Sequence, residues 1–191
     1  GAADQRMTCV DLRYALGETS FIEAEIAQTD GPGIGRAFST DGGLTITSDG
    51  IAGGGKAQAY RFDSRFGLVE LGLSRPGFVQ LYVERKDAGF STLTEDIAED
   101  QTLLGLKSEV EVSDRLTFGL DAETFDKDGG DRKDSAEVRL AYDLTPVWSV
   151  EAGLAYLDQR ILTEPEDSGR RTDLGLRLNY RPSDDLLLYV F

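Results

Sequence analysis

The chain has 191 residues, with 35 acidic and 20 basic side chains, a net charge of −15 and no histidine. That charge repels a phosphate backbone and argues against a nucleic-acid partner, and the missing histidine removes Ser-His and Cys-His catalytic pairs and histidine metal sites. The single cysteine, Cys9, excludes an intrachain disulfide and a Cys-cluster zinc site, and no run reaches the ~18–20 apolar residues of a membrane helix.

The N-terminus, Gly1-Ala2-Ala3-Asp4-Gln5-Arg6, lacks the charged start and apolar stretch of a secretory signal. No small or apolar run precedes Cys9, which reads as an inert strand thiol. From there the hydrophobic period is two. Val10, Leu12, Tyr14 and Leu16 alternate with Asp11 and Arg13, and Ile22, Ala24 and Ile26 with Glu23 and Glu25. The Gly-rich stretch 30–55 reads as a large loop, with a short strand placed at 44–47. Segment 56–67 is the least regular: Arg61, Asp63 and Arg65 oppose Tyr60, Phe62 and Phe66. Val79, Leu81 and Val83 then oppose Gln80, Tyr82 and Glu84. Leu104, Leu106, Ser108, Val110 and Val112 oppose Gly105, Lys107, Glu109 and Glu111. Leu116, Phe118, Leu120 and Ala122 oppose Thr117, Gly119, Asp121 and Glu123. Strands at 135–144, 148–156 and 172–180 follow, each with one apolar and one largely polar face. A last strand covers 186–191, making ten.

A soluble β-sandwich is the ordinary home for such alternation. Three features favour an antiparallel up-and-down transmembrane β-barrel, or a segment of one. Most strands are of the ~9–11 residues that cross a bilayer at a tilt, against ~5–6 for an average strand. Tyr14, Tyr142, Trp148, Tyr156 and Tyr180 sit near the ends of apolar faces, where interfacial girdles lie. Tight connections alternate with long ones, as periplasmic turns alternate with extracellular loops. By that phase the first strand descends and the tenth ascends, and the tenth is short. Residues 1–191 therefore read as one domain or segment, truncated from a larger barrel. The alternative is a small complete barrel with one strand miscounted near 44–47 or 68–73.

The runs Ser20-Phe21-Ile22-Glu23-Ala24-Glu25, Arg85-Lys86-Asp87-Ala88-Gly89-Phe90-Ser91-Thr92-Leu93 and Asp173-Leu174-Gly175-Leu176-Arg177-Leu178-Asn179-Tyr180-Arg181-Pro182 resemble the barrel region of very large Gram-negative cell-surface repeat proteins. The resemblance covers most of the chain. It implies placement in the cell outer membrane and carries no catalytic residues.

On the barrel reading the charged faces line the interior. Arg13, Arg139 and Arg177 then meet Asp121, Glu123 and Glu151 in a lumen charge network. In a narrow barrel such a network plugs the lumen, and in a wide one the excess acid favours cations. Basic residues gather at the proposed extracellular ends: Arg85, Lys86, Arg132, Lys133, Arg160, Arg170 and Arg171. These are candidate lipopolysaccharide contacts, because guanidinium suits phosphate; ordinary solvated loop charge is the alternative. The turn Asp126-Lys127-Asp128-Gly129-Gly130-Asp131 lacks a full calcium-loop pattern and reads as a solvated hairpin tip. No cofactor or metal is expected. The reading is a non-enzymatic outer-membrane protein, an envelope anchor or pore of a larger surface protein. Its partners are membrane lipid, lipopolysaccharide and other envelope proteins or the remainder of a larger chain. A soluble β-sheet binding or adhesion module is the alternative.

Overall fold

Side chains at every second position share a face, so long alternating runs pair into sheets. The computed structural model describes residues 5–32, 37–38, 47–48, 54–92, 95–162, 165–183 and 185–191. Its strands are β1 (Arg6–Ala15), β2 (Phe21–Asp30), β3 (Ala37–Phe38), β4 (Thr47–Ser48), β5 (Ala57–Gly67), β6 (Gly77–Lys86), β7 (Gln101–Ser113), β8 (Leu116–Lys127), β9 (Arg132–Asp143), β10 (Trp148–Arg160), β11 (Gly169–Ser183) and β12 (Leu186–Val190). One 3-10 turn occupies Pro165–Asp167. Ten strands form a single antiparallel meander, β1-β2-β5-β6-β7-β8-β9-β10-β11-β12, and β3 pairs only with β4.

The ten strands match the expected count. Residues 68–73, one place where a strand was in doubt, form a turn. Of the short strand placed at 44–47, residues 44–46 lie outside the described residues, and Thr47 begins β4. Barrel closure, however, is not seen among the described residues: β1 and β12 are the two edges. β12 is short and pairs with β11 only between Leu178 and Ser183. A register shift lies between Tyr180 and Ser183, where Pro182 has no N–H to give the ladder.

Several strands outrun their apolar pattern. β9 starts at Arg132, β10 continues to Arg160 and β11 starts at Gly169. The cause is pairing between polar residues: Arg160 faces Arg132, and Asp158 faces both Asp134 and Arg170. Hydrophobic alternation stops there, but the backbone ladder does not. The connection between β8 and β9 accordingly shrinks to 128–131, shorter than the gap left before the strand expected at 135–144. At its tip Gly130 has φ 94°, which glycine alone adopts without a Cβ penalty.

The register is staggered. A row perpendicular to the strands starts at Ala15, the last residue of β1. It passes Phe21, Arg65, Gln80, Lys107, Asp121, Glu137 and Ala155, and reaches Asp173, ten residues short of the end of β11. With a rise of ~3.3 Å per residue and ~4.8 Å between strands, aligning the tight turns on one plane tilts the strands by about 40°. Barrels have tilts of ~35–45°.

The sheet is one layer. The accessible surface is 13008 Å², whereas a compact monomer of 20.8 kDa exposes about 8,900 Å². The buried apolar cluster is small: Ala27, Ala57, Phe90 and Ile97, with Ala59 packed against it.

Candidate functional site

Alternation divides the sheet into a charged and an apolar face. The charged face carries ion pairs between residues directly opposite in register. Arg13 meets Glu23 at 3.1 Å, Lys107 meets Asp121 at 3.2 Å and Arg177 meets Glu151 at 2.7 Å. Arg61 bridges Asp63 at 3.5 Å and Glu84 at 3.7 Å. Arg139 turns along its own strand to Glu137 at 3.2 Å. Glu123 accepts a hydrogen bond from the Tyr82 hydroxyl, two strands away. The six residues of the expected lumen network therefore share one face, but they form separate pairs rather than one cluster.

Two local arrangements were not legible as contacts in the sequence. Tyr82, Gly105 and Glu123 occupy one row on β6, β7 and β8. The Tyr82 ring lies across Gly105, where a Cβ would collide with it. This is an aromatic side chain covering a strand glycine. At the other end of the sheet, Arg177 Nη2 donates to both Glu151 oxygens, at 2.8 and 2.7 Å. Asn179 Nδ2 donates to Glu151 at 2.7 Å and to Ser149 at 3.3 Å. Arg177 Nε and Asn179 Oδ1 are buried without a hydrogen-bond partner among the described residues.

Clefts open on the charged face. One of about 380 Å³ is lined by Lys107, Asp121, Glu123, Glu137 and Asp173. Another, of about 500 Å³, lies under loop 87–100 and is lined by Glu25, Ala27, Ala59, Arg61, Phe90 and Glu95. The described residues of that loop, 87–92 and 95–100, fold onto the charged face. Phe90 and Ile97 rest on Ala27 and Ala57. Gln5 donates to the Ser91 carbonyl at 2.9 Å, and Lys86 reaches Glu95 at 2.8 Å. A sequence signal existed: Ala27, Ala57 and Ala59 take positions that would otherwise continue the charged alternation of Glu25 and Arg61.

The opposite face is apolar and bare. Leu174 is 82 % exposed, Leu12 70 % and Val10 68 %, and Ile26, Leu104, Leu140 and Leu154 are also exposed. No described residue from another layer covers it. Trp148 and Tyr180 meet at the tight-turn end, with ring centroids 4.5 Å apart. At the long-loop end the Tyr156 hydroxyl donates to Asp158 at 3.2 Å, and the Tyr60 hydroxyl donates to Gln58. The band thus ends in aromatic rings, and at the long-loop end their hydroxyls meet polar side chains.

The candidate lipopolysaccharide residues divide between the faces. Arg85, Arg132, Arg160 and Arg170 project on the apolar side, just beyond the band. Lys86, Lys133 and Arg171, their chain neighbours, project on the charged side. Arg85 pairs with Asp100 at 2.7 Å, Arg132 with Asp134 at 2.8 Å and Arg170 with Asp158 at 2.8 Å. The turn 128–131 closes by Lys127 N donating to the Asp131 carbonyl at 2.8 Å. Among the described residues no three acidic or thiol groups converge as a metal-holding cluster. No family model matches the chain, and no curated protein or solved structure matches it.

Proposed function

We propose that the chain is a segment of a transmembrane β-barrel in a Gram-negative outer membrane, serving without catalysis as an anchor or pore of a larger surface protein. The bare apolar face carries this reading. Soluble monomers expose apolar patches of only a few hundred Å², whereas here, among the described residues, one whole side of a ten-stranded sheet lacks a second layer. Hydrocarbon is the cover that fits a band edged by Trp and Tyr. Along β10 the band runs from Trp148 to Tyr156, about 26 Å of strand, or about 20 Å upright at the tilt derived above. The height expected of an outer-membrane barrel is ~25 Å. The register stagger supports the same geometry independently.

Lipid cannot satisfy an open strand edge, so closure is required. β1 and β12 run antiparallel, and further strands added in pairs keep them so. On closure β1 meets β12 and the stretch of β11, 169–177, that β12 leaves open. Loop 87–100 then lies inside the mouth and narrows it, and the paired charges line the lumen. A soluble binding module would need a second layer over Leu12, Leu140 and Leu174.

The test is solubility and insertion. The chain, unfolded in urea, is diluted into plain buffer, into detergent micelles and into phosphatidylcholine vesicles. Strand signal with heat-dependent gel mobility and protease protection only in micelles or vesicles is the expected result. A folded monomer in plain buffer would overturn the proposal.

A further inference from the structure

Arg132 and Arg160 stand directly opposite each other across β9 and β10, on the apolar side of the sheet. Opposed Cβ atoms lie ~4.5–5.5 Å apart, and like charges so placed repel. Other like-charge rows are matched on both sides. Asp121 faces Glu137, but Lys107 and Arg139 neutralise them. Asp134 faces Asp158, but Arg132 and Arg170 do the same there. Arg132 is 55 % exposed and is matched by Asp134 at 2.8 Å and by Asp126, opposite it on β8, at 3.8 Å. Arg160 is exposed and has no carboxylate partner among the described residues.

The carboxylates beside Arg132 leave Arg160 as the unmatched cation of its row, and an anion seated against it, within reach of Arg132, would balance that charge. The position selects the kind of anion. The row below holds Asp158, and below that is the Tyr156 ring, whose hydroxyl reaches Asp158. Arg170, on β11, is held beside it by the same carboxylate. The guanidiniums therefore sit one or two rows beyond the apolar band, at the depth of a lipid headgroup. Guanidinium forks suit phosphate oxygens.

Resting on the barrel reading, we propose that Arg160 and Arg132, flanked by Arg170, form a binding site for the phosphate of a lipid headgroup, that of lipopolysaccharide in the outer leaflet. Lys133 and Arg171, adjacent in sequence, take no part because they face the other way.

The experiment inserts the full chain into phosphatidylcholine vesicles with and without lipid A carrying both phosphates. The protein is re-extracted in mild detergent, and retained lipid is read by native mass spectrometry. Lipid A is expected to remain bound, to be lost by about tenfold or more in Arg160→Gln, as one charge-assisted contact implies, and to be largely kept in Arg160→Lys. Lys133→Gln should bind as the parent does, and dephosphorylated lipid A should not be retained. Equal retention by Arg160→Gln, or equal loss in Lys133→Gln, overturns the site. Displacement by millimolar inorganic phosphate also overturns it, by making this a free-phosphate site. Insertion into pure phosphatidylcholine without lipid A retention sinks the site alone. Failure to insert sinks the barrel reading and the site with it.

Discussion

The charged face is built in two ways. Over β2, β5 and β6 its long-loop end carries Ala27, Ala57 and Ala59, and loop 87–100 lands there with Phe90 and Ile97. Over β9, β10 and β11 the same end carries Lys133, Ser135, Leu157 and Arg171, beside an open cleft. The alternation is common to both regions, yet among the described residues only one is covered. Alternation therefore assigns a side chain to a face but does not say what lies above it. Small apolar residues on a charged face mark where a loop comes down.

The largest effect should come from removing that cover. Phe90 is 4 % exposed, and Phe90→Ala should cost about 3 kcal/mol, the lower end for a buried phenylalanine, since the cluster is small. Hydrogen exchange provides the check. The amides of Gly89 and Ile97, which bond across the loop to Ile97 O and Phe90 O, should exchange faster, while those of β9 and β10 should not. Uniform acceleration over the whole sheet would erase the distinction between the two regions.

The boundary between the regions lies at Gly105. Gly105→Val would drive the Tyr82 ring off the strand and break its bond to Glu123. Overpacking of this kind costs ~1–3 kcal/mol. In a double-mutant cycle, Tyr82→Ala should recover much of the loss in Gly105→Val. Additive effects in denaturant unfolding would show that the ring does not occupy that space.

The sequence made the strands legible because a half-buried or half-wetted sheet enforces period two. Its reach was limited at strand ends. Arg132, Asp134, Asp158 and Arg170 continue the ladder without apolar alternation, so the connection over 128–131 looked longer than it is. The charged face was legible as a set, and Arg13, Arg139, Arg177, Asp121, Glu123 and Glu151 all lie on it. Their partners were not, because pairing depends on register, and a one-residue slip moves every side chain to the other face. The same rule split the basic pairs: adjacent residues such as Arg132 and Lys133 cannot share a face of a strand. The landing of Phe90 and Ile97 had no periodic signal, since loop packing follows from tertiary fit.

A smaller effect is expected in the uncovered region. Arg177 and Glu151 are well aligned but partly exposed, at 43 % and 27 %. Arg177→Gln should therefore lower stability only slightly, as expected for a solvent-screened pair. The loss should shrink in 1 M salt, where the Debye length is ~3 Å. A salt-independent loss would mean that the side chain acts through packing over Tyr189, whose ring lies 5.8 Å away.

The smallest effect concerns the tight-turn end, where the two regions are not distinguished by loops. Glu70 reaches back from turn 68–76 to the β1–β2 turn. It accepts hydrogen bonds from the Thr19 amide at 3.0 Å and from the Ser20 hydroxyl. Gly17 leaves the space: a Cβ there would lie 2.5 Å from the carboxylate. The Ser20 hydroxyl, then the Thr19 amide, hold the Glu70 carboxyl below its ordinary 4.5. Because the folded value is depressed, the contribution is fully present above pH 4.5 and disappears as pH falls through the lower folded value. Glu70→Gln should flatten that part of the acid limb while leaving neutral-pH stability only slightly reduced. The Arg75–Asp114 pair, 2.6 Å apart in neighbouring turns, likewise lowers the Asp114 carboxyl from 3.8. The remaining acid dependence of Glu70→Gln should accordingly centre lower than that of the parent, as read from thermal midpoints across pH. An unchanged midpoint curve would mean that Glu70 does not tie the two turns together.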